Sequence, residues 1–304
     1  MREARWSQET ITSHGTVSRA PTRPQGPTVL RIALGAQLRR LREGSGITAE
    51  AAGQAIRVSH GRINHMERGR VGFEEQDVAD LLTLYNITDQ QKRRLFLELA
   101  RQANEPGWWH RYSDILPEWF ELYVGLEQAC AVIRTYEPQL VPGLLQTQEC
   151  ARAVIQLGHS TESAEQIESR IALRMARQEI LTQPGAPNLW AVIDEAALWR
   201  LEGRATMRAQ IQHLIDMAEL PNITLQAIPF YAGSHAAIGG PFAILRFAEP
   251  DLPDIVYLEQ LTSALYLDKS QDIQHYLVIM DRLCVQAKSP TETTRFLNST
   301  LKEC

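Results

Sequence analysis

Residues 58–70 read VSHGRINHMERGR. A serine, Ser59, stands where a helix would begin, and a glycine, Gly69, stands where it would end. Between them lie histidine, arginine and asparagine, where a helix packed on all sides would carry apolar residues. The stretch therefore predicts a short helix with one anchored face and one polar outer face. Its inward positions would be Val58, Ile63 and Met66.

The outer face has residues suited to contact DNA. Their side chains can donate or accept hydrogen bonds to base edges, and a glycine permits close approach. Ser59, at the helix N-terminus, can bond a phosphate oxygen beside the unpaired N–H groups of the first turn. An ordinary solvated helix is the alternative, but the caps, the glycine stop and the local charge together favour DNA contact. The outer positions are His60, Gly61, Arg62, Asn64 and His65.

Helical periodicity continues on both sides of this stretch. Residues 28–46 place leucines four, four and three apart, and the helix would stop at a Gly-Ser-Gly sequence. Residues 48–56 open on Thr48, which predicts an N-cap. Residues 74–87 and 89–104 have two more amphipathic patterns. We therefore predict a mostly α, five-helix domain.

Charge is distributed unevenly along the chain. Residues 28–70 carry eight arginines against three glutamates, a balance of +5, and residues 1–27 carry four arginines against two glutamates. The formal net charge of the chain is −5, so residues 71–304 carry −12. A small basic segment attached to an acidic remainder indicates a DNA-contacting module joined to a domain of another kind.

The composition divides the chain into four parts. Residues 1–28 are rich in Pro, Gly, Ser and Thr and predict a disordered tail, with a DNA-gripping basic arm as the alternative. Residues 29–104 form the helical domain. Residues 105–120 contain helix breakers and clustered aromatic residues, which predict a linker or docking segment between domains. Residues 121–304 have helix patterns followed by strand patterns, which predict an α+β domain with a small, mostly antiparallel sheet.

The basic segment resembles a known class of domain. LGAQLRRLREGSGITAEAAGQAIRVSHGRINHMERGR, residues 34–70, is similar to the Cro/repressor, or XRE-type, helix-turn-helix domain, which has a lambda-repressor-like fold. The resemblance implies that the second helix reads the major groove. It also implies a structural pair between Arg42 and Glu67. Ala49 departs from the glutamine that this class often has. The implied DNA contacts are Thr48, Ser59, His60, Gly61, Arg62, Asn64, His65 and Arg68.

The remainder of the chain resembles actinobacterial regulators of the WhiJ-like type. The segments LVPGLLQTQECARA, RMARQEILT, VIDEAALWR and IPFYAGSHAAIGGPFAILRF occur in the order found in that family. The resemblance implies a large domain without an established activity. It also implies a small partner protein encoded nearby, in a pairing compared with toxin–antitoxin systems.

A catalytic or metal site is not predicted. The histidines lack metal-ligand spacing, and Asp194-Glu195, as strand neighbours, would point to opposite faces. Arg170, Arg174 and Arg177 form one helical stripe, which favours a salt-bridged exposed face over a second phosphate site. The Gly- and Ala-rich loop around residues 231–242 is either a ligand or partner lid or a flexible connection. Its candidate contact residues are Tyr231, Ser234 and His235.

The sequence also predicts where in the cell the protein is located. The N-terminus lacks an apolar stretch of signal-peptide length, no run reaches the length of a membrane span, and the four cysteines are dispersed. These features predict a cytoplasmic protein, nucleoid-associated when bound to DNA.

We expect a non-enzymatic, sequence-specific transcriptional regulator. It would be a repressor that binds double-stranded DNA as a homodimer, requires no cofactor, and carries a C-terminal domain for a small partner protein or ligand. The main alternative is an antitoxin-like interaction protein that neutralises a small partner, with DNA binding secondary. An enzyme with a DNA-binding head is a third possibility, without a catalytic constellation to support it.

Overall fold

A computed structural model describes residues 26–200, 203–237, 239–248 and 252–303. The predicted tail lies mostly outside these residues. The first helix, however, begins at Pro27, so Pro27 and Thr28 belong to that helix rather than to the tail. The other predicted domain bounds stay predictions.

The N-terminal region is a bundle of five helices, as predicted. Leucines of the first helix share one core with Ile63 and Met66 of the third helix and with apolar residues of the last two. Apolar residues recur every three or four positions along these helices, and this spacing places them on one face of each helix, which is buried. The helices are α1 (Pro27–Gly44), α2 (Ala49–Ala55), α3 (His60–Glu67), α4 (Glu75–Leu84) and α5 (Gln90–Ala103).

The C-terminal region is α+β, and this prediction is also confirmed. Its helices are α6 (Glu118–Ala129), α7 (Gln148–Gly158), α8 (Ala164–Gln178), α9 (Glu195–Trp199), α10 (Arg204–Met217), α11 (Ser270–Gln286) and α12 (Pro290–Glu303). Its strands are β1 (Val132–Glu137), β2 (Asn188–Asp194), β3 (Ile223–Ile228), β4 (Phe242–Arg246), β5 (Ile255–Glu259) and β6 (Ala264–Leu267).

The six strands form one sheet in the order β3-β2-β1-β4-β5-β6. The pairs β1–β2 and β2–β3 are parallel, and the other three pairs are antiparallel. Parallel neighbours require crossover connections. The chain provides them as α7 with α8 between β1 and β2, and as α9 with α10 between β2 and β3.

Both faces of the sheet are covered. Alternate strand residues such as Ile133 and Leu225 join the larger core, which includes residues of α6, α10 and α12. Strand residues that point to the other face, such as Tyr136 and Val192, join a second core beneath α11. The period of two along each strand thus supplies two separate apolar layers.

The two regions meet where α1 begins. Val29 is fully buried and belongs to the larger core of the C-terminal region. Thr28 lies so close to α6 that a Cβ added at Gly125 would collide with the Thr28 hydroxyl. Trp109, in the segment 105–120, packs elsewhere and is buried among residues of α6 and α8. The first turn of α1 thus joins the helical bundle to the C-terminal region.

Candidate nucleic-acid interface

The two short helices α2 and α3 each begin after a residue with a hydroxyl group, Thr48 and Ser59. Thr48 Oγ1 accepts a hydrogen bond from the backbone N–H of Ala51 at 3.1 Å, and Ser59 Oγ accepts one from Arg62 at 3.1 Å. Both residues are exposed. A hydroxyl that accepts a bond from a backbone N–H still has its own proton to donate. Both side chains can therefore cap their helices and donate to a phosphate oxygen.

Close backbone packing fixes the angle between α2 and α3. Gly53 lies where a Cβ would come within 2.7 Å of the Val58 carbonyl oxygen, and Val58 N–H donates to the Gly53 carbonyl at 2.8 Å. The intervening turn contains Arg57 with φ of 61°, in the left-handed region. A glycine is therefore required in α2, whereas a strained arginine is tolerated in the turn.

The predicted base-reading residues share the outer side of α3. Ile63 and Met66 are each 1% exposed and hold the inner side in the bundle core. His60 and His65 are exposed, and Gly61 and Asn64 are partly exposed. Because these four lie one and four residues apart, the structure brings them together on one polar face. Such a face fits the edges of base pairs in a major groove.

Arg62 has a different environment from the one we predicted. Its Nη2 atom lies 3.3 Å from Glu74 Oε1 and 3.7 Å from Asp77 Oδ2, at the start of α4. Burial, followed by the charge of Glu74, raises the pKa of Asp77 above its usual value despite the guanidinium. Arg62 therefore ties α3 to α4, and a phosphate contact would compete with this pair.

The pair of Arg42 and Glu67 closes the far end of α3. Arg42 Nε and Nη2 donate to the two carboxylate oxygens of Glu67 at 2.5 and 2.9 Å, and Nη1 donates to the Ile47 carbonyl at 2.8 Å. The side chains are only 11% and 6% exposed. The hydrogen bond to Glu67 raises the pKa of Arg42 above its ordinary value. This bidentate contact holds α1 against the C-terminal end of α3.

Three exposed arginines flank α3. Within the described part of the chain, the side chains of Arg57, Arg68 and Arg70 have neither an ion pair nor a hydrogen bond, whereas Arg39 pairs with Glu43. Arg57 precedes α3, Arg68 is its C-cap residue, and Arg70 follows it. Of these three, only Arg68 was predicted as a contact. The charge count pointed to the whole segment, but it could not separate these cations from those engaged in pairs.

The predicted loop of the C-terminal region is bound to the body of the domain. His235 Nε2 lies 3.0 Å from the hydroxyl of the buried Tyr136, and its Nδ1 accepts a hydrogen bond from Ala237 N–H at 3.3 Å. A neutral ring in this arrangement carries its proton on Nε2 and donates it to Tyr136. Asp194 Oδ2 lies 3.9 Å from the same nitrogen. His235 therefore anchors the loop to β1.

The other two loop candidates do not converge with His235. Tyr231 is 80% exposed, and its hydroxyl accepts a hydrogen bond from Lys288 Nζ at 2.7 Å. The Ser234 carbonyl accepts one from Gln286 Nε2 at 3.3 Å. Tyr231 and Ser234 thus contact residues at the C-terminal end of α11, whereas His235 contacts β1.

The prediction of an exposed arginine stripe on α8 is wrong for Arg177. Arg177 is buried and donates two hydrogen bonds of 2.8 Å to the buried Glu127 of α6. Arg174 is partly buried and donates to Gln146 at 2.8 Å, and burial lowers its pKa to about 10. Arg170 forms a salt bridge with Glu162, as we predicted for this stripe of arginines. The difference arises because α6 covers a side of α8 that the sequence alone assigns to solvent.

The remaining candidates have structural partners. Asp194 caps α9 by accepting from Ala196 N–H at 2.8 Å, and Glu195 accepts from Phe230 N–H at 2.9 Å. The described residues contain no cluster of histidine, cysteine and acidic side chains that could hold a metal ion. Across the same residues, no helix combines the length and apolar character that spanning a membrane requires.

Comparison with protein families gives two matches along the chain. Residues 33–95 match a helix-turn-helix domain. Residues 120–299, more than half of the chain, match a domain of unknown function, DUF5753. The chain belongs to the DUF5753 family. In this DUF5753 protein, the helix-turn-helix domain makes the N-terminal region a DNA-binding module of a regulator. Neither a curated protein nor a solved structure matches the chain.

Proposed function

We propose that this DUF5753 protein is a sequence-specific transcriptional repressor that reads its operator with α3. The observation that supports the proposal most is the polar outer face of α3, set between exposed arginines that have no ion pair within the described part of the chain. Base edges are read by short polar side chains, and phosphates are held by cations and N-terminal hydroxyls. The α3 face offers both kinds of group within one short helix.

The base contacts are assigned to His60, Gly61, Asn64 and His65. Asn64 can make a bidentate contact with adenine, and the histidines can bond purine acceptors. Gly61 has no side chain, so the backbone of α3 can approach the bases closely. These residues determine which sequence is preferred.

The phosphate contacts are assigned to Thr48, Ser59, Arg57, Arg68 and Arg70. They surround the base-reading face and determine affinity and orientation with little regard to sequence. We assign Arg62 instead to the positioning of α3, because Glu74 and Asp77 already neutralise it.

We propose a homodimer on a palindromic operator. A single α3 covers one half-site, and two such helices about 34 Å apart read two successive major grooves on one side of the duplex. Joining two half-sites raises affinity and specificity together. Occupation of the operator would then block transcription, in the cytoplasm.

The C-terminal domain would supply regulation by binding a small partner protein encoded nearby, as in the WhiJ-like regulators that the chain resembles. The antitoxin-like alternative makes a different prediction, namely that the partner binds without changing operator affinity. Titration of the operator complex with the co-purified partner separates the two.

The test of DNA reading is a selection of bound sequences from random duplex DNA. Purified full-length protein is compared with a folded His60→Ala/Asn64→Ala/His65→Ala variant. A palindromic motif obtained only with the unmodified protein supports the proposal. Equal enrichment of the same motif by both proteins contradicts the assignment of base reading to α3.

A further inference from the structure

A groove of about 680 Å³ lies between α12 and the outer edge of the sheet. Its floor contains Ile223 and Leu225 of β3, and one wall is a stripe of α12. The wall residues are Thr291, Thr294, Arg295, Asn298, Ser299 and Lys302. The opposite stripe of α12, with Thr293, Leu297 and Thr300, is buried against the domain. The groove therefore has a fixed polar wall.

The groove is cationic although the C-terminal region as a whole is acidic. In the described part of the chain, Arg295 and Lys302 have no ion pair, and no carboxylate lines the groove. Glu292, on the same helix, accepts hydrogen bonds from Ser289 at 3.0 and 2.7 Å. These bonds, with smaller contributions from the charges of Lys288 and Arg295, lower the pKa of Glu292, so Glu292 offsets part of the charge of Arg295. Two unpaired cations in a concave surface attract an anionic occupant.

The floor of the groove offers unpaired backbone groups. β3 is the last strand of the sheet, and its alternate residues direct N–H and C=O away from β2. Ala227 uses both outward groups, since its N–H donates to Thr293 Oγ1 at 3.0 Å and its carbonyl accepts from Lys288 N–H at 2.9 Å. Ile223 also faces outward, and its N–H donates to the Leu220 carbonyl at 3.0 Å. Leu225 has the same outward orientation, and the described residues supply no partner for its N–H or its carbonyl. Leu225 is thus the one outward residue of β3 in the described chain with both backbone groups open.

The cations of α12 and the open backbone groups of β3 both fit an extended acidic peptide. An extended peptide can pair through its main chain with Leu225 on the outer edge of β3, while its acidic side chains reach the cations of α12. From Thr291 to Lys302 the helix rises about 16 Å. About five extended residues span that distance.

We propose that this groove binds a short acidic segment of a partner protein, added to β3 as an extended strand. The inference rests on the proposed partner-binding role of the C-terminal domain, and it names where and by what chemistry the partner binds. Main-chain hydrogen bonds to Leu225 N–H and C=O fix the register of the peptide, and Arg295 and Lys302 give selectivity for acidic sequences.

The test is fluorescence anisotropy of the full-length protein with a labelled heptapeptide of alternating valine and glutamate. We expect saturable binding that the double variant Arg295→Glu/Lys302→Glu weakens at least ~10-fold, by loss of two favourable charge contacts and gain of two unfavourable ones. Arg282→Glu, an exposed charge reversal on α11, is the matched control and should change the dissociation constant less than twofold. Thermal denaturation confirms that all variants fold.

Two altered peptides and an oligothymidylate competitor test whether binding depends on acidic side chains, on main-chain hydrogen bonds or on negative charge alone. A lysine-for-glutamate peptide and an acidic peptide N-methylated at alternate residues should both fail to bind. Equal binding of either peptide, no binding at 1 mM peptide, or displacement of the probe by oligothymidylate would overturn the proposal. Operator binding is measured on the same samples without peptide, so that failure of the groove and failure of DNA reading are distinguished.

Discussion

Replacement of Arg42 by methionine tests the ion pair that holds α1 against α3. The change removes two hydrogen bonds to Glu67 and one to the Ile47 carbonyl, and it leaves a carboxylate that is 6% exposed without its counter-charge. Breaking one partner of a buried pair costs ~3–5 kcal/mol. Arg39→Met on the same helix breaks a pair with Glu43 in which both side chains are about half exposed. Such exposed pairs are screened by solvent and contribute little to stability.

The assay is native-state hydrogen exchange of the full-length protein, followed in peptides from residues 28–70. Arg42→Met should raise the exchange rate of protected amides in α1 and α3 by roughly 10² to 4 × 10³, since each 1.4 kcal/mol is a factor of ten. Arg39→Met should raise it less than about threefold. The double variant Arg42→Met/Glu67→Leu should recover much of the protection, because no uncompensated charge stays buried. If Arg42→Met and Arg39→Met had equal effects, the reasoning would be refuted.

Three other predictions concern the turn, the phosphate contacts and the sheet. Gly53→Ala should lower stability by ~1–3 kcal/mol and weaken DNA binding, because the new methyl group meets the Val58 carbonyl; thermal denaturation that shows the usual helix stabilisation by alanine would contradict this. Arg70→Ala should lower affinity for all duplexes alike and reduce the slope of log affinity against log salt by about 1, and a loss confined to one sequence would argue for base reading instead. Burial, followed by the charge of Glu259, raises the pKa of Glu137 to about 8, so the folded state binds a proton that the unfolded state releases near 4.5. Stability should therefore fall as pH rises from about 4.5 to 8, by at most ~5 kcal/mol and by less in view of the partial exposure of the side chain. Glu137→Gln should remove that component in denaturant titrations across this pH range, and an unchanged pH profile in the variant would contradict the assignment.

The sequence was most informative where structure is local. Ser59 and Gly69 mark the two ends of α3, because a capping serine and a terminating glycine act on the backbone within one turn. The sequence placed Arg62 among the DNA contacts because its pairing with Glu74 depends on where α4 begins, and that position is a tertiary property. For the same reason, the cations of the segment could be counted from the sequence but not sorted into paired and unpaired.

Two features of the C-terminal region were missed although the sequence carried a signal. α12 was not predicted, yet Ser289 and Glu292 form a capping box around Pro290, the pattern that marks a helix start. Four of the seven residues of β2 are buried, and such burial is typical of parallel strands, but the apolar run of β2 did not reveal its neighbours in the sheet. The burial of Arg177 was not foreseeable, because it depends on packing against α6.

The central claim is that α3 reads base edges while the surrounding arginines hold phosphates. The most direct measurement is the affinity of the unmodified protein, His65→Ala and Arg68→Ala for the selected operator and for each of its single base-pair variants at one salt concentration. We predict that His65→Ala removes the discrimination at one position of each half-site, about 1–3 kcal/mol, and that Arg68→Ala weakens every complex by the same factor. Uniform loss for both variants, or unchanged discrimination in His65→Ala, would contradict the claim.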